Sequence, residues 1–227
     1  MEVADALLTS GIYTIPDAGR LTDVPISNIR RWTLGYYFNQ GGERHWSPPL
    51  VKPQLQRDGV LALSFLDLQE LRFLHAFRRR GASWQSLRIA HERARRRIGH
   101  DHPFSTGKFK SAGRAILLEV ATESKDRVLE DIVTRQFEFK RVISPYLRGL
   151  IFDRGFVVRW FPRRNRTIVI DPSLSFGQPI VAKGGVPTNV LARSYRAERS
   201  FERVAKWYDV DVPSVRAAVE FERRLAA

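Results

Sequence analysis

Side chains that can read DNA cluster in the stretch VPISNIRRW, residues 24–32. Arginine binds guanine or phosphate through paired N–H groups, and asparagine binds adenine. Ile26, Ile29 and Trp32 recur at helical spacing in this stretch, so we expect them to face the core. The polar side chains expected on the opposite face are Ser27, Asn28, Arg30 and Arg31. An apolar stripe beneath outward-facing donors and cations is the arrangement of a DNA-recognition helix.

A second short helix is predicted directly before this stretch. Thr14 can cap it, and Asp17 falls in its first turn, where an acid meets the positive end of the helix dipole. Ala18 and Leu21 follow at helical spacing, and Asp23-Val-Pro25 interrupts the pattern. The sequence therefore predicts two helices joined by a tight turn.

A β-hairpin wing is predicted next, in residues 41–64, which combine turn-forming residues with short extended pieces. Arg44 and Lys52 are expected near its tip and arms. The residues predicted to contact DNA are Arg20, Ser27, Asn28, Arg30, Arg31, Tyr36, Arg44 and Lys52.

Two further helices are predicted after the wing. Ser64 is expected to cap the first, which ends at Gly81, and Ser83 is expected to cap the second. Residues 72–97 contain nine arginines and a single acid, Glu92. A solvated helix face is one interpretation of such a run. Because so few acids accompany it, we favour phosphate contacts by some of a set of five, namely Arg78, Arg79, Arg80, Arg88 and Arg95.

The helix pair, the wing and the segment SFLDLQELRF…RRRGASWQSLR together resemble the DNA-binding domain of MerR-type regulators. The resemblance covers about residues 12–98, and residues 24–32 are its most specific part. Gly19 stands where that family usually has alanine, and Asp23 stands where it usually has glycine. MerR proteins continue into a long dimerising helix, whereas here the pattern breaks at Arg95–Pro103.

Composition narrows the class of protein. The 227 residues carry a net charge of +14 and no cysteine. Such a charge attracts polyanions, which makes nucleic acid the first partner to consider. The absence of cysteine excludes disulfides, thiolate metal sites and cysteine catalysis. The beginning of the chain, MEVADALLTSG, has acids where a signal peptide is basic, and no apolar run is long enough to span a membrane. We therefore expect a cytoplasmic protein.

The middle of the chain is predicted to form a small α+β segment. Strands are expected at Lys108–Lys110 and Arg114–Val120, and a helix at Val133–Leu150. Two later strands, Phe156–Phe161 and Thr167–Ile170, are expected to flank the basic turn at residues 162–166. No function follows from this pattern.

The sequence gives little support for a metal site or a catalytic site. His100-Asp101-His102 groups three metal-ligand types, but no further ligand follows at a standard spacing, so we favour a polar linker. No Ser-His-Asp set, paired carboxylates or nucleotide motif stands out, and we predict neither an enzyme nor a cofactor.

The glycine-containing stretch FGQPIVAKGGVPT, residues 176–188, is a candidate phosphate-binding loop. A Walker loop fails because Lys183 precedes the glycines, and the G-x-G-x-x-G fingerprint of dinucleotide-binding folds is absent. Gly177 and Gly184-Gly185 are better explained as turns before Pro187-Thr188 opens a helix. Three helices are predicted after this turn, and the first is Asn189–Arg196. The second contains Phe201, Val204, Ala205 and Tyr208 at helical spacing. Asp211 is expected to cap the third, which contains Val215, Ala218, Val219 and Leu225.

Residues 167–224 resemble the small strand-turn-three-helix domain of antitoxins that partner PIN-like toxins. The matching positions are Ile170-Asp-Pro172, Phe176-Gly-Gln-Pro179, Gly185-Val-Pro187, Ala205, Tyr208, Val215 and Ala218. Joined to a MerR-like module, this domain resembles the larger antitoxins of the VapBC type. The resemblance implies a protein that binds a PIN-like ribonuclease toxin and represses its own operon by binding operator DNA.

The predicted fold is mainly α with short β elements. It has a MerR-like winged helix-turn-helix domain in residues 1–100, a central α+β segment in residues 101–166 and a helical antitoxin-type domain in residues 167–227. Residues predicted to meet the toxin are Arg163, Arg164, Arg166, Arg223 and Arg224. We expect a homodimer or a toxin–antitoxin hetero-oligomer, because one recognition helix reads few base pairs.

Two other interpretations remain open. A stand-alone MerR-like transcription regulator would sense a small molecule in residues 104–166, with Phe156, Trp160 and Phe161 as candidate pocket residues. An RNA-binding protein would also combine basic and aromatic residues, but the recognition-helix pattern favours the major groove of DNA.

Overall fold

The computed structural model describes residues 10–57 and 60–226. The stretch at residues 1–9, used above to exclude a signal peptide, lies outside the described residues. The helices are α1 Ile15–Thr22, α2 Ile26–Leu34, α3 Phe65–Arg79, α4 Trp84–Ile98, α5 Gly107–Ser124, α6 Arg127–Thr134, α7 Gln136–Leu147, α8 Thr188–Glu198, α9 Phe201–Trp207 and α10 Val212–Ala226. The strands are β1 Tyr36–Gln40, β2 Glu43–Ser47, β3 Leu55–Arg57, β4 Val60–Ala62, β5 Leu150–Asp153, β6 Phe156–Trp160, β7 Ile168–Val169 and β8 Ile180–Val181. They form four two-stranded sheets, so the prediction of a mainly helical fold with short β elements is confirmed.

The chain packs as two compact units. The N-terminal unit comprises Tyr13–Leu147 and Phe152–Val157. The C-terminal unit comprises residues 10–12, Arg148–Ile151 and residues 158–226. The division into domains at residues 1–100, 101–166 and 167–227 stays a prediction. None of the helices in the described ranges has the length and apolar character needed to cross a membrane.

Helices α1 and α2 form the predicted helix-turn-helix. Thr14 and Asp17 cap the start of α1 reciprocally, each side chain accepting from the other residue's backbone N–H. Asp23 turns the chain with a left-handed backbone, φ 58°, a conformation that aspartate tolerates better than most residues. Ile29 is fully buried. The prediction that Ile26 also faces the core is wrong: it is 43% exposed, because the first residue of α2 lies at the helix edge.

The predicted wing at residues 41–64 is two separate hairpins. Strands β1 and β2 pair antiparallel around Gly41-Gly42, with Tyr37 opposite Trp46, so the first hairpin begins five residues before the predicted start. Strands β3 and β4 form a second, shorter antiparallel pair. The connection between β2 and β3 contains Lys52, which therefore lies in neither hairpin.

Helices α3 and α4 follow as predicted from their caps. Ser64 caps α3 and Ser83 caps α4, each accepting a backbone N–H of the first turn. The buried side chains of α3 are mostly apolar, and they include Phe65, Leu68, Leu71, Phe73, Leu74 and Phe77. On α4, Trp84 stacks against Trp32 of α2, with ring centroids 5.2 Å apart and planes 10° from parallel. This stack ties the helix-turn-helix to the rest of the unit.

The prediction that residues 100–102 form a polar linker is wrong for His102, which is 1% exposed. Its Nε2 atom lies 2.7 Å from Asp67 Oδ1 on α3. Burial disfavours the charged imidazole, but the hydrogen bond to Asp67 and the charge of Glu70 outweigh it and raise the pKa of His102. A buried polar pair of this kind is structural, because each group supplies the hydrogen bond that the other loses with water.

The strands predicted at Lys108–Lys110 and Arg114–Val120 are wrong, since both lie in α5. Thr106 caps this helix by accepting the N–H of Phe109 at 3.1 Å. Its buried apolar residues recur with helical spacing, at Phe109, Ile116, Leu117, Val120 and Ala121. A side chain at Gly113 would come within 2.7 Å of the Phe109 ring, so glycine at this position makes room for the aromatic side chain.

The helix predicted at Val133–Leu150 is divided between α6 and α7. The division lies at Arg135, whose backbone is extended at ψ 102°. The last predicted residue, Leu150, begins β5 instead. The predicted strand at Phe156–Phe161 is confirmed as β6, and only Ile168–Val169 of the predicted Thr167–Ile170 strand is assigned to β7.

The C-terminal unit contains the predicted strands, turns and three helices. Strands β7 and β8 pair antiparallel. Gly177 and Gly184-Gly185 all have positive φ, which confirms the prediction that these glycines serve turns. Asp211 accepts the N–H of Ser214 at 2.8 Å at the start of α10, also as predicted. Val204, Val215 and Phe221 form part of the core beneath α8.

Truncating the core indole should destabilise the fold. Because Trp32 is 4% exposed and stacked on Trp84, we expect Trp32→Ala to lower the free energy of unfolding by about 3–5 kcal/mol in urea titrations. Trp207→Ala is the control, since Trp207 is 60% exposed and its loss should change stability by about 0.5 kcal/mol or less. Equal losses in the two variants would contradict the placement of Trp32 in the core.

Candidate nucleic-acid interface

The N-terminus of α2 is open to an anion. Pro25 is its N-cap and provides no side-chain hydrogen bond, and the first turn contains no acid. The first backbone N–H groups of a helix lack intrahelical partners, and the helix dipole is positive there. A phosphate group can therefore bind at this end of α2.

The outward face of α2 contains the predicted polar residues. Ser27, Arg30 and Arg31 are exposed, whereas Asn28 is half-buried. The Arg31 guanidinium lies over the Tyr36 ring, 5.4 Å from its centre. Among residues 10–57 and 60–226, no acid lies within ion-pair distance of Arg30. The two arginines thus remain available to bases or phosphates on a helix that Ile29 and Trp32 anchor from below.

Arg20 is less available than its type indicates. It lies in the last turn of α1 and forms an ion pair with Asp17. Partial burial opposes the charge on Asp17, but hydrogen bonds from Thr14 and Arg20 outweigh it and lower the pKa of that carboxyl. Contact with a phosphate would therefore compete with an ionised local partner.

The hairpin β1–β2 has exposed aromatic side chains on both faces. Tyr37 packs against Trp46 on one face, with ring centroids 4.7 Å apart, and the Arg44 guanidinium lies 4.1 Å from the centre of Tyr37. Phe38 and His45 pair on the other face. The sequence analysis included Tyr36 but missed these four aromatic residues, although the segment YYFNQGGERHW around two glycines is typical of a hairpin.

Four hydrogen bonds fix the end of this hairpin and the segment after it to α2 and α4. The Trp32 carbonyl accepts the N–H groups of Leu50 and Val51, at 2.8 and 3.0 Å. Arg88 donates to Ser47 Oγ at 3.1 Å and to the Pro48 carbonyl at 2.8 Å. Arg88, a predicted phosphate contact, therefore has a structural role in this unit.

The expectation that the arginine run of residues 72–97 lacks acidic partners is wrong. Helix α5 packs against α4 and presents Glu119 and Glu123 to Arg97 and Arg93. Another partner, Asp101, lies 3.6 Å from Arg95. These acids follow the run in sequence, so a count within residues 72–97 could not include them. These ion pairs favour a solvated face for Arg93, Arg95 and Arg97, whereas phosphate contacts by Arg78, Arg79 and Arg80 stay a prediction.

The predicted toxin-contacting arginines divide into two groups. Arg163 and Arg224 both lie over the Phe221 ring, 6.0 and 5.4 Å from its centre. Arg163 also forms a 3.0 Å ion pair with Glu220. Arg166 instead lies over Phe161. Arg163 is half-buried, whereas Arg164, Arg166, Arg223 and Arg224 are exposed. Within the described residues, no group of three or more His, Asp or Glu side chains could hold a metal ion.

Two family models of known proteins match this chain, one towards each end. Residues 11–91 match a family described as “Putative DNA-binding HTH domain”, and residues 168–221 match “Protein of unknown function (DUF433)”. The chain is 25% identical over 231 residues to a Mycobacterium tuberculosis protein named “Putative antitoxin VapB45”, covering 92% of both proteins. The crystal structure of Rv2018 from M. tuberculosis matches with a TM-score of 0.71 at 23% identity, covering 91% of this chain and 96% of that chain.

These matches confirm the predicted resemblance to a VapB-type antitoxin with an N-terminal helix-turn-helix. Antitoxins and helix-turn-helix domains are not enzymes, so the prediction of a non-enzymatic protein is confirmed as well. The likeness to Rv2018 shows that the fold is shared over most of the chain.

Replacing Gly35 should displace the hairpin from α2. This glycine has φ +78°, and a Cβ atom there would lie 2.6 Å from the Trp46 ring and 2.7 Å from the Ser47 carbonyl oxygen. We expect Gly35→Ala to cost at least about 2 kcal/mol of unfolding free energy, measured in urea. Gly41→Ala is the matched control, since φ is +62° there but the space is open, and it should cost about 1 kcal/mol. A smaller loss at Gly35 than at Gly41 would refute this close approach.

Proposed function

We propose that this chain is the antitoxin of a type II toxin–antitoxin pair. In this proposal it binds operator DNA through α2 and the hairpin β1–β2, and it binds and neutralises a PIN-like ribonuclease through the C-terminal unit. The observation that carries the DNA-binding half is the open N-terminus of α2 beside the exposed pair Arg30 and Arg31. The likeness to a protein named as a VapB antitoxin supports the toxin-binding half.

DNA binding follows from how α2 is held. Ile29 and Trp32 bury the inner face, so the outer face with Ser27 and the two arginines can enter a major groove. Arg44 and Tyr37 lie on a hairpin fixed to the same helix, the position of a wing that contacts the DNA backbone. This arrangement supports a MerR-like mode of binding, with both elements on one duplex.

A dimer follows from the small size of a single reading helix. One helix contacts few base pairs, and two-fold symmetric half-sites multiply the selectivity. We propose that the operator-bound species is a homodimer or a toxin–antitoxin hetero-oligomer.

Toxin binding is assigned to the cluster of Arg163, Phe221 and Arg224. Arg224 is exposed and Arg163 is half-buried in an ion pair with Glu220, and both guanidinium groups lie against the Phe221 ring. Such a pair suits an acidic protein surface, because guanidinium groups bind carboxylates with two hydrogen bonds. The family resemblance implies that PIN-like toxins hold metal ions with clustered acids. Electrostatic complementarity would therefore guide the cluster to the region of the toxin active site.

The interpretation as a small-molecule sensor is less well supported. It places a pocket among Phe156, Trp160 and Phe161, but Trp160 is 5% exposed and its backbone pairs with Ile170. This indole serves the core of the C-terminal unit.

Operator binding should depend on the α2 arginines. We expect Arg30→Ala and Arg31→Ala each to weaken binding by about 5- to 150-fold to a labelled duplex taken from upstream of the coding sequence. Fluorescence anisotropy at several salt concentrations should also show the salt slope falling by about one per lost phosphate contact. The control is Arg127→Ala, an exposed arginine on α6. Wild-type protein that binds a scrambled duplex equally well would contradict operator recognition.

Toxin capture should depend on the other arginine cluster. With a tagged nuclease encoded beside this gene, we expect the Arg163→Glu/Arg224→Glu variant to lose co-purification, because reversed charges repel an acidic surface. The Arg30→Ala/Arg31→Ala variant should be captured normally. Capture lost in the second variant and kept in the first would reverse this division between the two units.

A further inference from the structure

We propose that α9 and α10 form a second helix-turn-helix, and that it binds duplex DNA through Arg216. This site adds to the one on α2 and rests on the DNA binding proposed above.

The helix pairs α1–α2 and α9–α10 have the same spacing: each element of the second pair begins the same number of residues after its counterpart in the first. Helix α1 begins at Ile15 and α2 at Ile26, while α9 begins at Phe201 and α10 at Val212. Serine or threonine caps the first helix of each pair, at Thr14 and at Ser200. Asp23 and Asp209 stand at the same distance in sequence after these caps, and both have a left-handed backbone. The segments DVPISNIR and DVDVPSVR then align without a gap.

The inward positions also correspond. Ala18 matches Val204, and Ile29 matches Val215, all four being fully buried. The counterpart of Trp32 is Ala218, which is also buried. One pair differs: Leu21 is buried, whereas its counterpart Trp207 is 60% exposed. The shared pattern indicates that each pair of helices packs around the same kind of tight turn.

Arg216 stands at the position of Arg30, on the exposed face of the second helix. Its guanidinium lies 4.2 Å from the centre of the Phe201 ring, and Phe201 stacks on Tyr195 with centroids 4.0 Å apart. Stacking on an aromatic face fixes the guanidinium plane and leaves its N–H edge open. An arginine held in this way loses little conformational entropy when it binds guanine or a phosphate.

The surface around Arg216 has an excess of cations without partners. Three acids of this region are paired, since Glu198 meets Arg203, Asp211 meets Lys183 and Glu220 meets Arg163. Among the residues that the structure describes, the exposed cations of α8–α10 and their caps that have no ion-pair partner are Arg193, Arg196, Arg199, Lys206, Arg216, Arg223 and Arg224. Within the described residues, Glu202 and Asp209 are the acids of this region outside these ion pairs and the Thr188–Glu222 hydrogen bond. Hydrogen bonds from its own backbone and from Ser200 lower the pKa of Glu202, and the charge of Arg216 adds to them, so Glu202 partly offsets that cation. This excess of exposed cations favours a polyanion over a neutral or positively charged partner.

The two pairs differ at the N-terminus of the second helix. Helix α2 is uncapped by any side chain, whereas Asp211 caps α10 and binds Lys183. Hydrogen bonds from Ser214 and Lys183 lower the pKa of Asp211 to about 2, so the cap is ionised at neutral pH. Helix α10 therefore cannot hold a phosphate on its first amides, and contact with DNA falls to the side chains of its outer face.

The test measures binding of the full chain to the upstream duplex by fluorescence anisotropy. Arg216→Ala should weaken binding by about 5- to 150-fold, and Arg216→Lys should restore part of the loss. Arg127→Ala on α6 is the control, because it removes the same charge from an exposed position outside both helix pairs and should bind like wild type. Thermal unfolding of each variant identifies any loss of fold.

The outcomes separate this inference from the proposed function. If wild-type protein ignores the duplex, operator binding fails and the second site fails with it. If Arg30→Ala weakens binding while Arg216→Ala has no effect, the second site alone is refuted. If Arg216→Ala keeps DNA binding but abolishes nuclease capture, this face of α10 binds protein and the inference is overturned.

Discussion

The burial of Trp32 is the interaction on which the candidate DNA-binding surface depends. Its ring stacks on Trp84 of α4, and its carbonyl accepts two backbone N–H groups from Leu50 and Val51. One residue thus fixes the reading helix, the end of the hairpin and the arginine-rich helix together. Rigid support matters here, because side chains must meet base edges within fractions of an ångström. The polar face of α2 can be solvated and exposed only because its opposite face is held this firmly.

Local signals in the sequence predicted most helices and their caps. Thr14, Ser64, Ser83 and Asp211 each cap the helix expected of them, because a capping hydrogen bond involves only the next three residues. Helix α5 was mistaken for strands because its β-branched and aromatic residues are equally typical of a sheet. Its identity depends on Gly113, which admits the Phe109 ring, and on packing against α4.

Contacts between distant parts of the chain could not be predicted from sequence. Arg93 and Arg97 form ion pairs with acids of α5, while Arg30 and Arg216 form none with the residues that the structure describes, although all four are arginines on helices. The net charge of +14 therefore says little about where a polyanion binds. Pairing in the folded state decides which cations remain available, and those on α2 and α10 are among them. The repeated helix pair was only partly visible in the sequence, because the similarity of DVPISNIR and DVDVPSVR is slight without the two left-handed aspartates and the matching burial.

The missing cap on α2 links ligand binding to local order. Pro25 leaves the first amides without a side-chain acceptor, so this end of the helix is the part most prone to fraying. An arriving phosphate oxygen would supply the acceptor that Asp211 supplies to α10. Association would then tighten the opening turn of α2, and slower amide hydrogen exchange at its first residues would accompany it. The reading helix would reach its full length only in the presence of the duplex.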